Sequence, residues 1–254
     1  MRFFASAAPI AAAFAGLVMA AQAASATTVA AFTPPNGPEF LGQTVETRYR
    51  GPVQGNYNHV VGVAGLNDRN QRTEQPFRGT NGFSWRDSST EAQTYAFSFT
   101  YYSSTGLLTS QIGGATPITF DSDADFTANA LEFNLRNTTK GVRPGRGQPR
   151  QRDADSYIQV SDLVINGEAV STVFRANQGE NLFWSLTDFA TDPTLTVAGT
   201  LTRYGSFDRN EQENVKFNMK AGQVSAVPLP MAGWLLIGGM ATWFGVGRMA
   251  RKAD

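Results

Sequence analysis

Three carboxylates on alternate residues, Asp121, Asp123 and Asp125, form the densest set of potential ligands in the chain, within the stretch DSDADFTANALE (residues 121–132). With Thr127, Asn129 and Glu132 they fall on the ligand positions of EF-hand spacing. Hard oxygens of this kind suit Ca²⁺, Glu132 serving as the bidentate ligand. Two features depart from that pattern. Phe126 stands where a glycine makes the sharp turn, and the flanks read as strand, with Glu132 inside LEFNL. The stretch is therefore read either as an irregular Ca²⁺ site on Asp121, Asp123, Asp125 and Glu132 or, more plainly, as an acidic turn. No other cofactor is indicated.

Residues for catalysis are sparse. His59, in NYNHVVGVAG, is the only histidine and there is no cysteine. This excludes thiolate catalysis, zinc sites built on cysteine and a disulfide framework. A nucleophile elbow, a phosphate-binding loop and a dinucleotide fingerprint are all missing. A lone histidine on a strand reads as a packed or surface residue. The expectation is a non-enzymatic protein. Two alternatives remain open: a carbohydrate-binding domain, with Trp85, Tyr101, Tyr102, Trp184 or Tyr204 stacking on sugar rings, and a secreted glycoside hydrolase built on two converging carboxylates.

The elements that would position these residues are strands. In TYAFSFTYY, Tyr95, Phe97, Phe99 and Tyr101 share one face; Leu131, Phe133 and Leu135 alternate likewise, as do Leu195, Val197 and Leu201, and Val215, Phe217 and Met219. Such period-two runs, bounded by Gly, Asn, Asp and Pro, predict half-buried antiparallel strands. Asn166-Gly167 in VINGEAV predicts a two-residue hairpin, because both residues tolerate positive φ. No stretch of this body carries helical periodicity. The fold class expected is all-β, an antiparallel sandwich of jelly-roll type with about nine to eleven strands over the roughly 180 residues from Val45 to Gln223, within a body spanning residues 27–223. The flank from Thr27 to Glu39 is expected to be loosely held.

Of 254 residues, 21 are basic and 21 acidic. Four of the bases (Arg2, Arg248, Arg251 and Lys252) and one acid (Asp254) lie in the terminal segments, leaving a body near −3. Such a body is not an expected partner for nucleic acid. Two polar loops interrupt it, residues 65–82 and 140–155. The second holds Lys140, Arg143, Arg146, Arg150 and Arg152 against Asp153 and Asp155. It reads as a solvated insertion or as a contact for an anionic polysaccharide.

The ends are of a different composition. Arg2 precedes an apolar, Ala-rich run from Phe3 to Ala21, and Ala21-Gln22-Ala23 and Ala24-Ser25-Ala26 are both small-residue cleavage sites. Residues 1–26 therefore read as a signal peptide, cut after Ala23 or Ala26. From Met231 to Gly247 the chain is uncharged. As a helix that span covers about 25 Å, enough for a short crossing of a hydrocarbon core of about 30 Å. Arg248, Arg251 and Lys252 follow it and place the C-terminus in the cytoplasm. Pro228 and Pro230 hold the chain before the helix extended.

Val227-Pro228-Leu229-Pro230, the glycine-containing apolar segment and the basic end together resemble the VPLPA-CTERM sorting signal, a variant of the PEP-CTERM signals of Gram-negative bacteria. Met231 stands where that motif has its alanine. The resemblance covers residues 227–254. It implies processing by an exosortase-type transpeptidase, with an inner-membrane precursor, its body in the periplasm, and a mature protein at the cell surface or in the extracellular matrix. A permanent single-pass anchor is the alternative. The body resembles, through SDLVINGEAV, LTVAGTLTRY and VKFNMKAG, the choice-of-anchor domains found upstream of such signals. That likeness implies a surface β-domain with no established activity.

Overall fold

The computed structural model describes residues 27–50, 58–64, 77–80, 82, 88–138, 153–205 and 214–225. Among them are fourteen strands: β1 (Thr28–Phe32), β2 (Thr44–Arg50), β3 (His59–Ala64), β4 (Phe77–Thr80), β5 (Ser88–Tyr102), β6 (Leu107–Ile112), β7 (Ile118–Asp121), β8 (Ala130–Asn137), β9 (Tyr157–Ile165), β10 (Glu168–Val170), β11 (Phe174–Asn177), β12 (Glu180–Thr187), β13 (Thr194–Gly205) and β14 (Val215–Gly222). They form two antiparallel sheets. The first runs β1-β12-β8-β14-β2-β3-β4. The second runs β10-β9-β13-β5-β6-β7, with β11 sharing the β10 edge of β9. Among the described residues no helix is long and apolar enough to cross a membrane.

The period-two runs account for the core. Phe97, Phe99, Leu131, Phe133, Leu135, Leu195, Val197, Leu201, Phe217 and Met219 all turn inward into one cluster shared by both sheets. Its middle is aromatic. Phe97 of β5 meets Phe217 of β14 with ring centroids 5.3 Å apart, and Phe133 of β8 meets Phe174 of β11 at 5.3 Å, both edge to face. Such pairs add about 0.5–1.5 kcal/mol each beyond the area they bury. The hairpin forms as its residues require: Asn166 (φ 49°) and Gly167 (φ 85°) are both left-handed, and Ile165 pairs directly with Glu168.

Two expectations are corrected. There are more strands than expected, because β1, β4, β10 and β11 are three- to five-residue edge pieces too short to show a periodic signal. The flank after Thr27 is not loose either. β1 pairs in register with β12 from Thr28↔Thr187 to Phe32↔Phe183, and Phe32 and Phe183 bring their rings to 5.6 Å. Backbone pairing holds this edge where the side-chain pattern is uninformative.

Gly205 ends β13 at φ 103°, and a Cβ there would lie 2.3 Å from Ser156 Cβ and 2.8 Å from Ser156 Cα. Backbone strain and a clash with main chain act together, so Gly205→Ala is expected to destabilise the fold by roughly 2–4 kcal/mol. Urea denaturation would register this as a lower midpoint with an unchanged slope.

Candidate functional site

The last strand of the body hands the chain on to the tail through a clamp. Asn129, just before β8, gives its carboxamide to both backbone groups of Val224: Nδ2 donates to the Val224 carbonyl at 3.0 Å, and Oδ1 accepts from the Val224 N–H at 2.7 Å. The Asn129 N–H donates to the Gly222 carbonyl at 3.1 Å. From the other side Phe40 bridges Val224, and the Leu41 N–H donates to the Gln223 carbonyl at 2.7 Å. Gly222 lets Phe40 approach, since a Cβ there would sit 2.4 Å from the Phe40 ring. Asn129, read from sequence as a candidate calcium ligand, is thus occupied with holding Val224. Val227, Pro228, Leu229 and Pro230, the apolar segment 231–247 and Arg248, Arg251 and Lys252 lie outside the described residues, as do residues 1–26 with Ala23 and Ala26.

The acidic stretch crosses the same end of the sandwich, from β7 to β8. Asp121, Asp123, Asp125 and Thr127 are exposed, while Ser122, Ala124 and Ala128 are buried. The inward groups tie the stretch down. The Tyr101 hydroxyl donates to the Ala124 carbonyl at 3.0 Å and accepts from the Phe126 N–H at 3.2 Å, and Ser122 Oγ donates to the Gly106 carbonyl. Phe126, the residue that breaks the calcium-loop pattern, packs its ring 5.0 Å from that of Tyr101. Burial pushes the Tyr101 phenol up. Glu132 is not brought to the aspartates. It sits in β8 with Oε1 accepting from Lys220 Nζ of β14 at 2.6 Å. Among the described residues no three His, Asp or Glu side chains converge as a metal-holding group.

The only histidine belongs to a buried polar cluster that joins the sheets. His59 Nε2 lies 2.8 Å from Ser110 Oγ, Tyr49 Oη 2.7 Å from it and Thr47 Oγ1 3.0 Å from it. Ser110 is on β6 of the second sheet; the other three are on β2 and β3 of the first. A hydroxyl has one hydrogen and two lone pairs, so three partners saturate Ser110. All four side chains are fully buried, and His59 Nδ1 finds no partner among the described residues. Burial pushes the His59 pKa down to about 4 and that of Tyr49 up to about 12, the bonds from Ser110 and Thr47 working against the Tyr49 rise. The serine–histidine pair has the spacing of a nucleophile and its base. Among the described residues no third group bonds Nδ1 to orient the ring, and both side chains are fully buried.

The aromatic candidates separate by position. Tyr101 is core, and Trp184 packs inward, 5.2 Å from the Phe174 ring. Tyr102 is exposed. Tyr204 stacks on Tyr157 with centroids 5.5 Å apart, and Arg175 lies 3.8 Å above the Tyr157 ring. Trp85 and most of loops 65–82 and 140–155 lie outside the described residues; Asp153 and Asp155 are within them. The outward positions beside Tyr204 on the second sheet form a plane of hydroxyls. Thr196, Thr100, Thr109 and Thr119 pair side by side across β13, β5, β6 and β7. No family model matches the chain, and no curated protein matches it.

Proposed function

We propose that the chain is an exported, non-enzymatic protein of the bacterial surface or extracellular matrix. In this reading a jelly-roll-like sandwich is the cargo, and the segment Val227–Pro230 is the point at which an exosortase-type transpeptidase separates it from its membrane helix. The observation that carries the reading is the Asn129 clamp. It holds the chain at Val224, three residues before Val227, and among the described residues β14 is the last strand of the sheets. Six residues, 225–230, then bridge the clamp and the apolar segment, a reach of about 20 Å if extended. An extended, proline-held segment outside the fold is a form a processing enzyme can grip. The sealing of His59 and Ser110 in the core supports a non-enzymatic body.

The precursor in this reading sits in the inner membrane with its body in the periplasm. Replacing Pro228 and Pro230 with Ala is expected to leave membrane insertion intact and the body attached, while wild-type protein loses the tail. Mass spectrometry of both ends of the protein from its native cells decides the matter. A C-terminal peptide carrying Trp234 and Trp243 at steady state would make the tail a plain anchor.

A further inference from the structure

We propose that the outer face of the second sheet binds a neutral polysaccharide chain, a role that goes beyond tail processing and stands or falls separately from it. The face is built on β13, β5, β6 and β7. Its central row is Thr196, Thr100, Thr109 and Thr119, and a second row pairs Thr202 with Thr94, their Oγ1 atoms 3.4 Å apart. Thr94, Thr119 and Thr196 are exposed and Thr100, Thr109 and Thr202 half-buried. Adjacent strands are about 4.8 Å apart, so each row presents hydroxyls at roughly the width of one sugar ring. Each threonine hydroxyl both donates and accepts, as does each hydroxyl of a polyol.

Charge selects the occupant. Among the described side chains, the outward positions of β13, of β6 and of β5 from Thr94 to Tyr102 carry no ionised group; Glu91, exposed near the start of β5, lies beyond them. Asp121 at the end of β7, with Asp162 on β9 and Arg175 on β11, marks the rim. The outer face of the first sheet is the internal comparison: Glu132 and Lys220 pair there, and four residues along the same strands Arg136 stands opposite Lys216. Among the described residues charge thus crosses the middle of one outer face and is confined to the rim of the other. Threonine is an ordinary residue for an exposed strand. A wide β-face without lysine or glutamate is not, because it invites association. Along β13, β5 and β6 a uronate or phosphate polymer would find no counter-charge, the exposed Arg78 of β4 standing only at the β7 edge with Nη1 donating to the Thr119 carbonyl at 2.9 Å, whereas a neutral glycan finds hydroxyls along the rows. At one end Tyr204, stacked on Tyr157, supplies an aromatic edge for a sugar ring.

Full-length chain purified in detergent should be retained on neutral polysaccharides (cellulose, a β-1,3-glucan, dextran, galactomannan), with polygalacturonate as the anionic comparator. Retention on at least one neutral polymer is expected, weakened about tenfold or more by Tyr204→Ala and by the pair Thr196→Glu, Thr109→Lys, with the melting midpoint nearly unchanged. Thr119→Lys, at the exposed edge, serves if the pair fails to fold. The proposal is overturned if no neutral polymer is retained, if polygalacturonate is preferred, or if the variants bind as wild type. It is equally overturned if the variants instead break a dimer, which would make a second copy of the chain the occupant.

Discussion

Taking the protein from pH 7 to pH 4 is expected to cost the fold about 3 kcal/mol through one side chain, His59. Its ring is sealed between the sheets and its pKa is pushed down to about 4 from the ordinary 6.5. The unfolded chain therefore takes up a proton near pH 6.5, while the folded chain resists until about pH 4. Between those values the unfolded state binds more protons, so stability falls as the pH is lowered. The histidine contribution is complete above pH 6.5 and is lost progressively across the window, at up to about 1.4 kcal/mol per pH unit. The groups around the ring, Ser110, Tyr49 and Thr47, are neutral hydroxyls that offer an imidazolium no counter-charge. Because this is the only histidine, His59→Gln isolates the effect: carboxylates titrate in both proteins. Urea midpoints measured from pH 7 to pH 4 should fall further for wild type than for the variant. Parallel curves would mean that the ring is not held neutral.

Ser110→Ala is expected to destabilise the fold by roughly 3 kcal/mol, a large share of the 5–15 kcal/mol typical of a domain. The hydroxyl is touched by three partners, and they do not suffer equally. Thr47 Oγ1 keeps the Val60 carbonyl at 3.3 Å, and Tyr49 Oη keeps the Ser98 carbonyl at 3.4 Å. Among the described residues His59 Nε2 has no other partner, and a buried polar group left unpaired costs about 1–3 kcal/mol. A small cavity between the sheets adds to this. The cost should shrink by about 1–2 kcal/mol in a His59→Phe background, since the orphaned nitrogen is then absent. Additive effects of the two substitutions, measured by chemical denaturation, would count against a shared cluster.

The strands that were legible are those whose residues bury one face over five or more positions. β5, β8, β13 and β14 announced themselves through alternate Phe, Leu, Val and Tyr, and Asn166-Gly167 announced its turn. The edge strands did not, because β1, β4, β10 and β11 run only three to five residues and offer too few alternations to show a pattern, although Phe174 and Ala176 of β11 and Val170 of β10 are core residues. The buried cluster was illegible for another reason. Ser110 and His59 are 51 residues apart and meet only across the sandwich. A trace of it exists: Ser110 sits between Leu108 and Ile112, and Thr47 between Val45 and Tyr49, each a polar residue at an inward parity. Such a residue in a core strand needs a partner across the sheets. For the acidic stretch, the spacing of Asp121, Asp123, Asp125 and Glu132 promised convergence, but Glu132 turned to Lys220 because strand parity, not loop geometry, sets its direction.

The place of β14 has a bearing on the order of events in synthesis. It lies in the interior of the first sheet, between β8 and β2, although it is the last strand before the tail. A chain that emerges from its N-terminus completes β2, β3, β8 and β12 while the slot between β2 and β8 is still empty. Two raw strand edges therefore stay open until Val215–Gly222 arrives, and closure has to join partners as distant in sequence as Val45 and Ala221. Contacts of that span form slowly. If the chain is exported as proposed above, a body that closes only with its last strand stays open to threading until nearly all of it has passed, and the apolar segment 231–247 follows soon after that strand.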